Sequence, residues 1–302
     1  MRRLAAIFAL LALVVFATSA TAFTPQLSLT ANGVNGSVGA VVSGARWEVG
    51  GSLSGGGPRR VTLHVFRNGV RVITRTLRVR NGVFRTELKI SGIGRITVHA
   101  IHGKLHSPAV SIWVVAPAVS PGEHSYSARI LQHELSAAHY VVGAPGVYDA
   151  QTQWAVMAFR KLAGLPRTFA VDASVFAALA AHEGGFVIRY PSQGQHVEAD
   201  LTHQVMALIG ASGVIQHLYA FSSGKPSTPT APGHFRFWLR QPGVNSDGMV
   251  NSTYFNGGDA IHGYAEVPSY PASHGCLRVW IPDSLAIYDW VQIGMPIDVY
   301  YR

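Results

Sequence analysis

The chain has 302 residues and a formal net charge of +9, with 24 lysines and arginines against 15 aspartates and glutamates. This basic balance suits anionic cell-wall polymers or lipid headgroups, whereas nucleic acid is not expected as a partner because no basic cluster interleaved with aromatic residues is present. The length exceeds one ordinary hydrophobic core, so a multidomain protein is expected.

Residues 1–22 have the pattern of a cleavable signal peptide. Arg2 and Arg3 precede an apolar run from Leu4 to Phe16, and the Ala-Thr-Ala sequence at 20–22 is a small-residue cleavage site. The apolar run is shorter than the roughly 20 residues that a bilayer span requires. The sequence therefore predicts a protein secreted to the cell wall or periplasm.

Residues 23–117 alternate polar and apolar side chains in short runs, which is the periodicity of β-strands. Asn68-Gly69 and Asn81-Gly82 lie between such runs, and Asn-Gly pairs favour tight hairpin turns because both residues accept positive φ. The pattern predicts a small immunoglobulin-like sandwich of antiparallel strands. Its arginines fall on outward positions and indicate a solvated face, so we assign this domain no chemistry.

Residues 118–124 contain proline, serine and glycine and are interpreted as a linker. From 125 to 182 the apolar residues change to helical spacing, which predicts three short helices. Asp172 is expected to be the N-cap of the third helix and Gly164 to close the second.

This helical stretch carries the residues Leu131-Gln132, Leu135, Gly146-Val147-Tyr148, Thr152, Ala155-Val156, Phe159, Gly164-Leu165 and Val171-Asp172. Through them it resembles the three-helix peptidoglycan-binding domain family. The resemblance implies binding to the cell wall, and the alternative is a spacer bundle without a ligand.

Strand patterns return from residue 186 to 302, with predicted strands at 186–190, 201–209, 214–220, 234–239 and 296–300. One helix is predicted at 284–291. The sequence thus predicts a mostly-β C-terminal domain after the sandwich and the helical bundle.

Cys276 is the only cysteine of the chain. Exported proteins usually pair their cysteines as disulfides, so a lone cysteine flanked by histidines is a candidate nucleophile, and the alternative is a small buried hydrophobe. A thiol needs a base to become a thiolate at neutral pH, and His262, His274 and the more distant His234 are candidates. Backbone N–H groups at Gly275 and Cys276 are candidates to stabilise an oxyanion.

A metal site is the competing interpretation of the same residues. His262, His274 and Cys276 could form a three-ligand zinc site with an open fourth position. A zinc hydrolase also needs a general base, and the nearest acids, Asp259 and Glu266, show no recognisable spacing for one. No metal or cofactor is therefore expected.

A longer constellation surrounds the cysteine, consisting of Thr-Pro-Thr-Ala-Pro-Gly-His-Phe at 228–235, Phe-Asn-Gly-Gly-Asp-Ala-Ile-His-Gly at 255–263, Ser-His-Gly-Cys-Leu-Arg at 273–278 and Gly-Met-Pro-Ile-Asp-Val at 294–299. Over residues 186–302 the chain resembles the catalytic domain of the L,D-transpeptidases. The resemblance implies that Cys276 is the nucleophile, that His262 is the general base and that the carbonyl of Gly263 orients its ring.

The resemblance also implies supporting roles near the cysteine. The N–H groups of His274, Gly275 and Cys276 would line the oxyanion site. Ser273 matches the motif with either a local hydrogen-bonding role or a share in catalysis, and Arg278 matches a polar position that is structural or faces the substrate.

The implied reaction is acyl transfer on peptidoglycan stem peptides, in cell-wall biogenesis and the maintenance of cell shape. The thiolate would attack the carbonyl between the diamino acid at position three and the D-alanine at position four, and an amine of a neighbouring stem would resolve the thioester to a 3→3 crosslink. Water as acceptor would make the enzyme an L,D-carboxypeptidase, and an inactive wall-binding protein is a further alternative. Carbapenem-type β-lactams would be expected to acylate Cys276.

Overall fold

The computed structural model of the chain describes residues 30–32, 40–55 and 60–302. The predicted signal peptide, residues 1–22, lies outside the described residues. Within the part that is described, no helix is long and apolar enough to cross a membrane.

The N-terminal domain is a two-sheet sandwich. Its strands are β1 (Thr30–Asn32), β2 (Ala40–Val42), β3 (Arg46–Ser52), β4 (Arg60–Arg67), β5 (Val70–Arg78), β6 (Val83–Lys89), β7 (Gly94–His102), β8 (Leu105–His106) and β9 (Val110–Val115). One sheet has the order β1-β3-β6 and the other β2-β9-β7-β4-β5, with β8 paired to β7. Alternate side chains such as Val61, Leu63 and Val65 are fully buried between them. The predicted sandwich is confirmed, although β2 pairs with β9 in parallel.

Both Asn-Gly pairs form tight turns. Asn68 and Gly69 have φ of 47° and 85°, and Asn81 and Gly82 have 50° and 77°, the left-handed values that a two-residue hairpin turn requires. The first pair joins β4 to β5 within one sheet. After the second pair the chain changes sheets, because β5 pairs with β4 and β6 pairs with β3.

Three helices follow, as predicted: α1 (Tyr126–Ala137), α2 (Ala150–Leu162) and α3 (Ala173–Ala180). Asp172 caps α3 by accepting the N–H groups of Ser174 and Val175, and Gly164 follows α2 with φ of 67°. Arg160 is buried in α2, and its guanidinium donates to the carbonyls of Pro166 and Ala170.

The C-terminal domain contains two sheets, one helix and a single 3₁₀ turn at Pro191–Gln193. The strands are β10 (His196–Asp200), β11 (Val205–Ile209), β12 (Ile215–Ala220), β13 (Gly233–Arg236), β14 (Leu239–Val244), β15 (Val250–Asn256), β16 (Asp259–Tyr264), β17 (Leu277–Trp280) and β18 (Pro296–Tyr300), and the helix is α4 (Ile281–Trp290). The sheet orders are β12-β11-β10-β18-β13 and β14-β15-β16-β17. A core that includes Phe221, Phe237 and Phe255 lies between them.

The strand predicted at 186–190 is wrong. The N–H groups of Arg189 and Tyr190 donate to the carboxylate of Glu198 at 2.9 and 2.7 Å, so this segment is held by a side chain and not by a neighbouring strand. The prediction at 201–209 also merged two features, since residues 201–204 form the turn between β10 and β11. Strand β10 was missed because only two of its residues, Val197 and Ala199, are apolar, whereas its polar residues His196, Glu198 and Asp200 are buried as well.

The helical domain and the larger C-terminal sheet share one hydrophobic core. Phe159 of α2 and Leu135 of α1 belong to the same buried cluster as Val205 and Leu218 of the sheet. At the junction Nζ of the buried Lys161 donates hydrogen bonds to the carbonyls of Gln204 (3.2 Å) and Phe221 (2.7 Å). The three-helix unit is therefore packed onto the five-stranded sheet and shares its core.

Candidate active site

Cys276 lies at the end of the turn that leads into β17, beside the start of β16. These strands are parallel, with Ile261 opposite Leu277 and His262 opposite Arg278. The sulfur accepts the N–H of Ala260 and lies 3.6 Å from the carbonyl oxygen of Gly258. The backbone of the histidine strand thus fixes the position of the thiol.

His262 is a buried residue with one ring nitrogen already engaged. It is 3% exposed, and its Nδ1 lies 3.0 Å from the carbonyl oxygen of Gly263, which places the proton on Nδ1 and leaves Nε2 as the basic nitrogen. The ring also packs edge-on against Tyr264, with 5.6 Å between centroids. Burial lowers the pKa of His262, and the nearby Arg278 guanidinium lowers it further, so the ring is neutral at pH 7.

His262 and Cys276 face one cavity of about 270 Å³. The cavity is lined by Asp247, Met249, His262, Tyr264, Ser273, His274, Cys276 and Arg278. The structure thus brings together the two residues that the sequence predicts as nucleophile and base.

Burial raises the pKa of the Cys276 thiol, and the carboxylate of Asp259 raises it further, whereas the N–H of Ala260 and the charge of Arg278 lower it. At neutral pH the resting sulfur therefore keeps its proton. A base must remove this proton as the sulfur attacks.

Ser273 holds the turn before the cysteine in shape. Its hydroxyl donates to the carbonyl of Cys276 at 2.6 Å and accepts the N–H of Gly275 at 3.2 Å. Gly275 has a φ of 129°, and a Cβ at this position would collide with the carboxylate of Asp259, so only glycine fits. Of the three predicted oxyanion donors, the N–H of Gly275 is occupied by Ser273.

His274 and Arg278 are oriented by partners outside the predicted set. The Nε2 of His274 lies 3.0 Å from the ammonium of Lys225 and accepts from it, which directs this nitrogen away from a role as base. The guanidinium of Arg278 lies over the ring of Tyr264, 4.1 Å from its centroid.

The other candidate base and the zinc alternative find no support in the geometry. His234 lines a different cavity, where it bonds to Asp298. Within the described ranges, no group of three or more His, Cys, Asp or Glu side chains is arranged to hold a metal ion.

Four residues around the site were not predicted: Lys225, Asp247, Met249 and Tyr264. Tyr264 could have been found, because residues two apart on a strand share a face and His262 was already assigned. Lys225 and the β14–β15 hairpin with Asp247 and Met249 reach the site only through tertiary folding.

Comparison with known proteins gives two family matches. Residues 194–299 match the L,D-transpeptidase catalytic domain family, and residues 125–179 match a peptidoglycan-binding domain family. No match was found among curated proteins.

Among solved structures, the chain is similar to an L,D-transpeptidase from Xylanimonas cellulosilytica, with 31% identity over 62% of this chain and 98% of that one and a TM-score of 0.57. It also matches an L,D-transpeptidase from Stackebrandtia nassauensis, with 18% identity, coverage of 61% and 95%, and a TM-score of 0.39. A third match is an L,D-transpeptidase in complex with imipenem, with 12% identity, coverage of 92% and 100%, and a TM-score of 0.32.

Proposed function

Because the chain belongs to the L,D-transpeptidase family, we propose that it crosslinks peptidoglycan through a Cys276 thioester. The donor is a stem tetrapeptide, cleaved between its third residue and the D-alanine at position four, and the acceptor is a side-chain amine of a neighbouring stem, which gives a 3→3 crosslink. One observation carries the proposal: Cys276 and the buried His262, whose Nε2 is unprotonated, line the same cavity.

In the first half-reaction Nε2 of His262 takes the thiol proton while the sulfur attacks the donor carbonyl. The tetrahedral intermediate then collapses, the carbon–nitrogen bond to D-alanine breaks, and the imidazolium returns the proton to the leaving amine. In the second half-reaction Nε2 takes a proton from the acceptor amine as its nitrogen attacks the thioester, and the sulfur leaves with that proton. Each proton that His262 removes is returned, so the proposed cycle balances with the groups of this chain and the two stem peptides.

The opposite pKa shifts of the two groups fit proton transfer during attack. A raised thiol pKa and a lowered imidazole pKa disfavour a resting thiolate–imidazolium pair. General-base catalysis is efficient when the base is neutral at the working pH, and burial of His262 secures this.

The developing oxyanion would be held by the backbone N–H groups of His274 and Cys276. The N–H of Gly275 already donates to Ser273, which makes the serine a brace for the turn. Donors fixed before the reaction stabilise the charge that appears at the carbonyl oxygen, and the loss of one such donor typically costs a factor of about 10²–10³ in rate.

The helical domain is proposed to hold the wall during this reaction. A groove of about 410 Å³ lies between α1 and the loop before α2, and its lining includes Arg129, Gln132 and Pro145. Export by the predicted signal peptide would bring the protein to the cell wall or periplasm. Carbapenems are proposed to acylate Cys276, and anionic wall polymers to associate with the basic surface.

Intact-mass spectrometry after incubation with a tetrapeptide-bearing muropeptide tests the proposal. The expected result is release of D-alanine from the muropeptide, a protein adduct with the mass of the acyl group, and a crosslinked muropeptide dimer when an acceptor is present. Cys276→Ala should abolish the adduct and keep the native circular dichroism spectrum. An unchanged adduct in Cys276→Ala would contradict the assignment, and release of D-alanine without dimer would identify a carboxypeptidase.

A further inference from the structure

The cavity around Cys276 has two exposed residues in its lining, and they differ in charge. Its buried part contains His262 and Ser273, which are 3% and 1% exposed, whereas Asp247 and His274 are exposed to solvent and mark the entrance. Nε2 of His274 lies 3.0 Å from the ammonium of Lys225. The entrance therefore has a positive charge beside His274 and a negative charge at Asp247.

Asp247 takes no part in the two half-reactions described for Cys276 and His262. Of the described residues that line the cavity, Asp247 alone is acidic. Its carboxylate makes no hydrogen bond or ion pair within the described part of the chain. A charged carboxylate without a counter-ion at the entrance of a catalytic cavity is available to bind a cationic group of the substrate.

The turn that carries Asp247 is held in one conformation by its own hydrogen bonds. The side-chain oxygen of Asn245 accepts the N–H groups of Asp247 at 3.0 Å and of Met249 at 2.9 Å, and its carbonyl accepts the N–H of Gly248 at 3.1 Å. A Cβ at Gly248 would lie 3.7 Å from the ring of Tyr264, so the turn also packs beside this residue of β16. A carboxylate on a fixed turn loses little entropy when it binds a ligand.

The proposed reaction supplies a cation for this carboxylate. The acceptor stem brings a side-chain amine, which carries a positive charge at neutral pH as the amine of lysine does. The terminal carboxylate of the donor is an anion, so it is repelled by Asp247 and attracted towards Lys225. The charges at the entrance therefore match an acceptor ammonium on the side of Asp247.

The effect of Asp247 on the thiol argues for a role after acylation. Burial is the largest cause that raises the pKa of Cys276, and the carboxylates of Asp259 and Asp247 raise it further. A negative charge near the sulfur thus opposes removal of the thiol proton in the first half-reaction. Once the sulfur is part of a neutral thioester this cost is absent, and the same charge attracts the acceptor.

We infer that Asp247 is a specificity-determining residue that binds the side-chain ammonium of the acceptor stem at the entrance of the Cys276 cavity. This inference rests on the proposed crosslinking function. The ammonium gives one proton to solvent, the resulting amine attacks the thioester carbon, and Nε2 of His262 takes the second proton. The new carbon–nitrogen bond replaces the carbon–sulfur bond, and the sulfur leaves with the proton from His262.

The test compares how full-length Asp247→Asn and the parent protein divide the thioester between crosslinking and hydrolysis. Both proteins are acylated by a soluble tetrapeptide, and an isotope-labelled tripeptide stem with a free side-chain amine is added at increasing concentration. Asp247→Asn should raise the tripeptide concentration for half-maximal formation of labelled dimer about fivefold, the upper range for an exposed ion pair. Its acyl adduct, followed by intact mass, should form as fast as in the parent or faster.

Two controls separate recognition of charge from damage to the site. Hydroxylamine is an uncharged nucleophile at neutral pH and should cleave the thioester at equal rates in both proteins, whereas a damaged site would slow this reaction too. Glu266→Gln removes one negative charge from an exposed residue that does not line the cavity. It should leave the dependence on tripeptide concentration unchanged.

Equal dependence on the tripeptide in Asp247→Asn and the parent would overturn the inference. Slower acylation of Asp247→Asn with an unchanged dependence on the tripeptide would overturn it as well, because the carboxylate would then bind the donor stem. A parent protein that forms no acyl adduct would refute the proposed function, and this inference with it. A normal adduct together with normal dimer formation in Asp247→Asn therefore identifies failure of this inference alone.

Discussion

Replacing Asp283 by asparagine should stabilise the protein at alkaline pH and leave it unchanged in acid. Asp283 lies in the first turn of α4, is 4% exposed, and accepts a hydrogen bond of 2.8 Å from Gln151 of α2. Burial raises the pKa of this carboxyl from its usual 3.8 to about 6, against the smaller opposing effect of the Gln151 bond. Asparagine keeps the oxygen that accepts from Gln151 and carries no charge.

The sign follows from proton binding. The folded protein holds the proton of Asp283 more tightly than the unfolded chain, so the contribution of this group to stability is complete below pH 3.8 and is lost as the pH rises through 6. The full difference of about 2.2 pKa units corresponds to about 3 kcal/mol at 1.36 kcal/mol per unit. The positive end of α4 favours the charged carboxylate by about 0.3–1 kcal/mol, so the expected value is about 2 to 3 kcal/mol.

Urea unfolding followed by tryptophan fluorescence at pH 4.5 and pH 8 measures this difference. The ring of Trp154 in the helical domain stacks against Trp280 beside α4, so the signal reports on the contact in question. Between pH 4.5 and pH 8 the gain in free energy of unfolding from Asp283→Asn should increase by about 2 kcal/mol. Asp289→Asn, an exposed residue of the same helix, is the control and should change stability by under about 0.5 kcal/mol. An Asp283→Asn variant with the same free-energy change at both pH values would refute the reasoning.

Three further substitutions test the turn before Cys276 and the buried lysine of α2. Ser273→Ala leaves the N–H of Gly275 without its partner and should lower the acylation rate about tenfold or more, with about 1–3 kcal/mol lost in urea unfolding; a fully active variant would show that the brace is dispensable. Gly275→Ala forces a side chain into a φ of 129° and against Asp259, so acylation measured by intact mass should fall below detection, and normal acylation would contradict the steric argument. Burial lowers the pKa of Lys161 well below 10.5, so the free energy of unfolding should rise with pH towards 10.5 by up to about 1.4 kcal/mol per pH unit. Lys161→Met should flatten this slope in urea titrations at pH 7–10. An unchanged slope would show that other groups cause the pH dependence.

The sequence predicted the parts of the fold in which local chemistry and tertiary structure agree. The Asn-Gly turns at 68–69 and 81–82 and the capping of α3 by Asp172 depend on the residues themselves, and they form as expected. The segment 186–190 was misjudged because its apolar alternation is typical of a strand, whereas its N–H groups bond to the side chain of Glu198. The apolar alternation of residues 186–190 carries no information about a side-chain acceptor that follows eight or nine residues later.

The candidate site likewise combines features that short motifs predict with features that depend on tertiary contacts. The residues alone left His262, His274 and His234 as candidate bases, and the resemblance to the L,D-transpeptidases selected His262, which lines the same cavity as Cys276. The ammonium of Lys225 beside His274 was not predictable, since 49 residues separate them. Nor could the sequence show that Ser273 occupies the N–H of Gly275, because this depends on the direction of one hydroxyl group.

The shared core of the helical domain and the five-stranded sheet of the C-terminal domain has a mechanical consequence. Because Lys161 and Phe159 of α2 pack against this sheet, the two units would move as one rigid body and not as two domains joined by a flexible linker. A wall strand bound by the helical domain would then lie at a fixed distance and orientation from the Cys276 thiol. The enzyme would therefore crosslink only those neighbouring chains whose distance from the bound strand in the wall matches this fixed separation.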